Sequence, residues 1–98
     1  RYLLDTFFGG GQWPILSCFL GLAHARAGDP DAALRLLRWA AGTETADGLL
    51  PEQVPDHLLA PDRRDEWVER WGPVATPLLW SHAMFVRLAV ELDVLRPA

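Results

Sequence analysis

Glu52 is the residue whose neighbours best equip it for chemistry. It stands in the stretch Gly48-Leu49-Leu50-Pro51-Glu52-Gln53, directly after a proline. Proline fixes φ and removes a backbone donor, so a stiffened turn carries this carboxylate, not a helix. A rigid loop presenting one acid suits general-base work, because the carboxylate must stay ionised and needs a polar, fairly open place. The plain alternative is a solvated surface charge, which is what most loop glutamates are.

The aromatic residues come next. Trp13, Trp39, Trp67, Trp71 and Trp80 are many for a minimal helical core. Flat aromatic faces suit the apolar C–H side of a sugar ring, with carboxylates or Arg for its hydroxyls. Trp39 sits in a leucine-rich segment and reads as packing, and so do Trp67 and Trp71. Trp13 and Trp80 stand where helices should start, so either can face a cleft or the core. Cleaving a glycosidic bond with inversion takes two carboxyl groups ~6.5–9.5 Å apart, with room for water between them. Glu52 suits the base of such a pair, and no second carboxyl here is an obvious acid.

Other chemistries find little support. His24 and His82 lie in apolar helical patterns and read as satisfied structural histidines, and His57 sits in a loop. Ser17 and Ser81 lack a His/Asp arrangement for nucleophilic attack. Asp56 and Asp62 read as turn or cap residues. No Cys/His spacing fits a zinc site, and no cofactor is implied. Cys18, the single cysteine, has no internal disulfide partner and reads as a small buried hydrophobe. The formal net charge is -4 and all nine basic residues are Arg without a basic stripe, which argues against a nucleic-acid partner. No apolar run reaches membrane-spanning length.

Helices must position these residues. Residues 1–12 contain Gly9-Gly10-Gly11, a break that permits close backbone approach, with Arg1 and Asp5 as polar lining. Trp13-Pro14 opens a helix in which Ile15, Leu16, Phe19, Leu20, Ala23 and Ala27 repeat with helical spacing. Gly28 should stop it. Asp29 should cap a second helix with Pro30 as its first residue and Ala33, Leu36, Leu37, Ala40 and Ala41 inward, ending at Gly42. These two form an αα-hairpin. Thr43 to Pro61 holds no period. Residues 62–71 read as a short helix with Trp67 and Trp71 on one face. A last helix should span Pro77 to Asp93 with Thr76 as its cap, apolar nearly all round. No strand pattern appears, so the fold class is all-α. The 98 residues offer too few neighbours to cover such a helix, which predicts part of a larger domain.

Four blocks in order resemble the C-terminal part of the catalytic domain of glycoside hydrolase family 15, the glucoamylase family. They are Arg1-Tyr2 with Asp5-Thr6-Phe7-Phe8, the glycine-rich loop into Trp13, Gly48 to Gln53, and Thr76-Pro-Leu-Leu-Trp-Ser-His-Ala83. The resemblance implies an (α/α)6 toroid, of which residues 1–98 supply the last third or less, the remainder of the domain being their partner. It implies an inverting, exo-acting hydrolase that frees glucose from the non-reducing ends of α-glucans or small α-glucosides. Glu52 falls on the family's general base, Arg1 on an arginine for sugar hydroxyls, Trp80 on a wall of the site, and Trp13 on a tryptophan after the glycine loop. The general acid lies upstream in the family and is absent here. Phe7 stands where fungal members tend to have Tyr. Trehalases and glucodextranases share these blocks, so the linkage is open. A different class, a non-catalytic helical module binding a glycan or protein through its aromatic residues, also fits the composition. A helical-repeat scaffold does not, since no repeat period holds.

Overall fold

The structure, a computed structural model, describes residues 10–94. Arg1, Asp5 and Phe7 lie outside the described residues. The architecture is all-α: α1 (Pro14–Arg26), α2 (Pro30–Ala41), α3 (Asp62–Trp71) and α4 (Leu79–Glu91). The one extended pairing among the described residues is an antiparallel bridge between Gln12 and Val54.

The α1–α2 hairpin forms as its turn residues dictate. Gly28 adopts φ 86°, a conformation an L side chain resists. It lets Asp29 N–H reach back to His24 O at 2.9 Å and Gly28 N–H to Ala25 O at 3.2 Å, which uses carbonyls left over at the end of α1. Asp29 then caps α2, its carboxylate accepting from Ala32 N–H at 3.1 Å. The expected inward residues Ala33, Leu37 and Ala40 are buried, Leu36 and Ala41 are half-buried, and Arg35 and Arg38 face out.

α4 lies across this hairpin, packing on both α1 and α2. The core joins Cys18 and Leu22 of α1, Ala33, Leu37 and Ala40 of α2, and Leu88 and Ala89 of α4. Small residues let the backbones close in. A Cβ on Gly21 would stand 2.6 Å from Leu88 Cδ2, so only glycine fits between α1 and α4 there.

Two expectations need correction. Most of the apolar residues that repeat with helical spacing in α1 do not form its buried side: Leu16, Phe19, Leu20 and Ala23 are exposed, and the buried side is Pro14, Ile15, Cys18, Gly21 and Leu22. α1 is apolar on every side, so periodicity does not choose a face; the small Cys18 and Gly21 choose it by permitting close packing. α4 starts at Leu79, two residues later than expected. Thr76 does not cap it, for its hydroxyl bonds Val74 O at 3.3 Å. The N-cap position falls to Leu78, which is extended because its N–H is drawn to Leu50 O at 2.9 Å.

α3 forms where expected but packs against none of the other helices. Trp71 is 68% exposed, with the Arg70 guanidinium 5.8 Å from its ring centroid, so it does not serve the core as expected. Trp39 does pack against the core.

Candidate functional site

The segment around Glu52 has no helix or strand of its own, yet its backbone is fixed on both sides. It begins in a turn: Gly48 takes φ 78°, Gly48 N–H bonds Thr45 O at 2.9 Å, and Thr45 N–H bonds Leu49 O at 2.9 Å. Leu50 N–H donates to His82 Nε2 at 2.9 Å, and Leu50 O accepts from Leu78 N–H at 2.9 Å. Pro51 O accepts from the buried Ser81 hydroxyl at 3.1 Å. Glu52 N–H donates to Ala75 O at 2.8 Å. Past the glutamate, Val54 N–H bonds Gln12 O at 2.9 Å and Gln12 N–H bonds Val54 O at 3.2 Å. Leu50, Pro51, Gln53 and Val54 are buried, while Glu52 between them is half-exposed.

This network joins the starts of two helices. Gln12 precedes Trp13 and α1; Leu78, Ser81 and His82 surround Trp80 at the start of α4. The sequence places Trp13, Glu52 and Trp80 far apart, and the fold brings their segments to one end of the α1–α4 pair. Trp80 is 59% exposed and meets the ring of Phe19 edge-on, 6.0 Å between centroids and 72° between planes. Trp13 is half-buried and its indole N–H, although buried, has no hydrogen-bond partner among the described residues. Gln12 Oε1 and Gln53 Oε1 are likewise buried and unpartnered. Gln53 lies against Gly11, where any Cβ would collide with its side-chain oxygen. Buried polar groups without partners cost free energy, so each of these atoms calls for a partner such as ordered water.

The histidine reading holds for His82, which is satisfied, its Nε2 accepting from Leu50. That geometry requires the neutral ring with the proton on Nδ1. Ser81 is likewise a buried hydroxyl spent on a backbone carbonyl, not a nucleophile. The grip of these two on the loop was illegible in the sequence, because each bond spans some 30 residues. Burial pushes the Cys18 thiol up to about 11, so it is inert at neutral pH. Among the described residues no group of three His, Cys, Asp or Glu could hold a metal ion, and no helix is long and apolar enough to cross a membrane.

The comparisons with known proteins point to glycosidases. The chain is 61% identical over its full length to an isomaltose glucohydrolase of Kribbella flavida. Over 95% of its length it is 31% identical to an uncharacterized glycosyl hydrolase of Methanocaldococcus jannaschii. Among solved structures it matches a wild-type glycosidase at 61% identity with a TM-score of 0.94 over 97% of the chain. A Glu-to-Ala variant of a glycosidase in complex with glucose matches at 60% identity and the same TM-score. The chain spans 26% of the Kribbella protein and of these solved chains, and 15% of the archaeal one. No family model matches it.

Proposed function

We propose that these 98 residues are the C-terminal segment of the catalytic domain of an inverting, exo-acting α-glucoside hydrolase of the family 15 type, with Glu52 as its general base. The observation that carries this is the fixed backbone around a half-exposed Glu52, set between the starts of α1 and α4 in a chain that matches glycosidases along its whole length. A second observation supports it. A phenylalanine and a glutamate substituted in the matching glycosidase structures are separated in sequence by the same interval as Phe7 and Glu52, and that glutamate variant is described in complex with glucose. Another glutamate substituted there lies upstream of both, which fits an acid supplied from outside this chain.

In this reading water attacks the anomeric carbon from the face opposite the leaving oxygen. Glu52 takes the water's proton as the new C–O bond forms. The glycosidic C–O bond breaks, its electron pair leaves with the oxygen, and the acid protonates that oxygen. α-Configured substrate gives β-glucose, and Glu52 returns its proton to solvent. Arg1 holds sugar hydroxyls, Trp80 offers its exposed ring to the apolar face of the sugar, and Trp13 has an indole N–H with no partner among the described residues. The likeness to an isomaltose glucohydrolase favours a small α-glucoside over a long glucan.

The exposed apolar faces belong to the same reading. Leu16, Phe19 and Leu20 on α1 and Leu79, Val86 and Val90 on α4 remain exposed, Leu79 most of all. In an (α/α)6 toroid the remaining helices of the domain cover such faces, which favours this reading over a free-standing binding module. The test is Glu52→Gln in the full-length polypeptide that carries this segment. Glucose release from isomaltose should fall by on the order of 10²–10⁴, with KM little changed. Near-normal turnover on isomaltose, maltose, starch and trehalose alike would end the assignment, and retention of configuration in the product would end the inverting mechanism.

A further inference from the structure

We propose that Ser81 and His82, in the first turn of α4, are positioning residues that set where the Glu52 carboxylate stands. The inference rests on Glu52 being the base and goes beyond it by naming the side chains that aim it.

A base works only within about 2.6–3.2 Å of the proton it takes, and a misplacement of about 1 Å can cost 10²-fold in rate. The question is therefore what fixes the tripeptide Leu50-Pro51-Glu52. All its backbone polar groups up to the Glu52 amide have partners: Leu50 N–H on His82 Nε2, Leu50 O on Leu78 N–H, Pro51 O on Ser81 Oγ, and Glu52 N–H on Ala75 O. Two of these four partners are backbone groups, which side-chain substitutions other than proline leave in place. The other two are adjacent side chains on one helical turn. Proline has no N–H, so the Ser81 bond to its carbonyl is the tether on the residue before the glutamate among the described residues. The same two residues follow Trp80 directly, so they tie the base and the exposed ring to one rigid helix end.

The residue types suit the task. Ser81 is fully buried, so its hydroxyl has no solvent to exchange with. His82 presents Nε2 as an acceptor, at a reach that Asp or Asn does not match on the same backbone position, whereas a Gln side-chain oxygen comes close to it.

The experiment measures kcat, KM and melting temperature for Ser81→Ala, His82→Leu, His82→Gln and Glu52→Gln in the full-length polypeptide, with glucose release from isomaltose as the assay. Asp29→Ala serves as a control that destabilises the distant cap of α2. Well below the melting temperature, Ser81→Ala and His82→Leu should each lose on the order of 10-fold to 100-fold in kcat with KM within about twofold, because the base is misplaced and not the substrate. His82→Gln should recover most of the His82→Leu loss, and Asp29→Ala should keep its kcat. A merely structural role predicts the opposite: lower melting temperatures with kcat intact. That result, a rise in KM at constant kcat, or a Gln variant no better than Leu would overturn the positioning role. If His82→Leu fails to fold, Ser81→Ala, which deletes a single oxygen, decides by the same split. Unchanged turnover in Glu52→Gln would sink the base assignment and this role together, whereas loss there without loss in the α4 variants sinks this role alone.

Discussion

Gly21→Ala should destabilise the fold, and the structure says by how much and why. Alanine normally improves a helix interior by about 0.8–1.0 kcal/mol over glycine. At Gly21 the added methyl would stand 2.6 Å from Leu88 Cδ2 and 3.3 Å from Leu88 Cδ1. Leu88 is fully buried and cannot swing aside. Forcing a methyl into a packed site costs about 1–3 kcal/mol, so the net loss spans about 0–2 kcal/mol, and a 2.6 Å approach to a fully buried side chain puts Gly21 in the upper half of that range. The discriminating assay is a double-mutant cycle by urea unfolding of the full-length polypeptide. Leu88→Ala alone should cost about 2–5 kcal/mol through the cavity it leaves. In that background Gly21→Ala should change sign and stabilise by about 1 kcal/mol, since the clash is gone and the helix preference remains. A neutral or stabilising Gly21→Ala in the parent background, or strict additivity in the cycle, would refute the claim that α1 and α4 approach through this glycine.

Two further outcomes follow from the hairpin and the core. Asp29→Ala removes the acceptor for Ala32 N–H and should cost about 1 kcal/mol, read as a shift of the urea midpoint without a change in slope. The Cys18 thiol titrates higher in the fold than the 9.0 of an ordinary thiol, about 11, because burial opposes its charged form. The unfolded chain therefore gives up that proton first as pH rises. The stability tied to it is complete below about pH 9 and is lost between there and about pH 11. Unfolding followed across that range should show this decline, and Cys18→Ala should remove it. Thiol reagents at pH 7.5 should modify Cys18 no faster than the protein opens.

How much of this was legible in the sequence depended on whether the controlling contacts were local. The Gly28-Asp29-Pro30 turn, the inward side of α2 and the extent of α3 rest on residues a few positions apart, and each came out as read. The buried face of α1 did not, because an all-round apolar helix leaves the choice to Gly21 and Leu88, which lie on different helices. The start of α4 was misplaced for the same reason, Leu50 taking the amide of Leu78 across the fold. For the site, the proline before Glu52 marked the stiff turn, and Trp13 and Trp80 marked helix starts. Nothing nearby in the chain marked Ser81 and His82 as holding that turn, or Gln53 as buried behind it.

The irregular segment can be rigid because helix starts leave donors unused. The first N–H groups of a helix have no partner within it, and neither does the residue that precedes it. Here the amide of Leu78 and the hydroxyl of Ser81 meet the carbonyls of Leu50 and Pro51, which have no partners in a helix or strand of their own. The bridge from Val54 to Gln12 fastens the other side of Glu52 at the threshold of α1. The two helix starts are in turn fixed relative to each other by the contact of Gly21 with Leu88. A chain of contacts thus runs from the core to the carboxylate: α1 against α4, α4 against the loop, the loop around Glu52. The position of one half-exposed acid is therefore set by packing two helical turns away, and a catalytic role for Glu52 asks for that kind of rigidity, where a solvated surface charge would not.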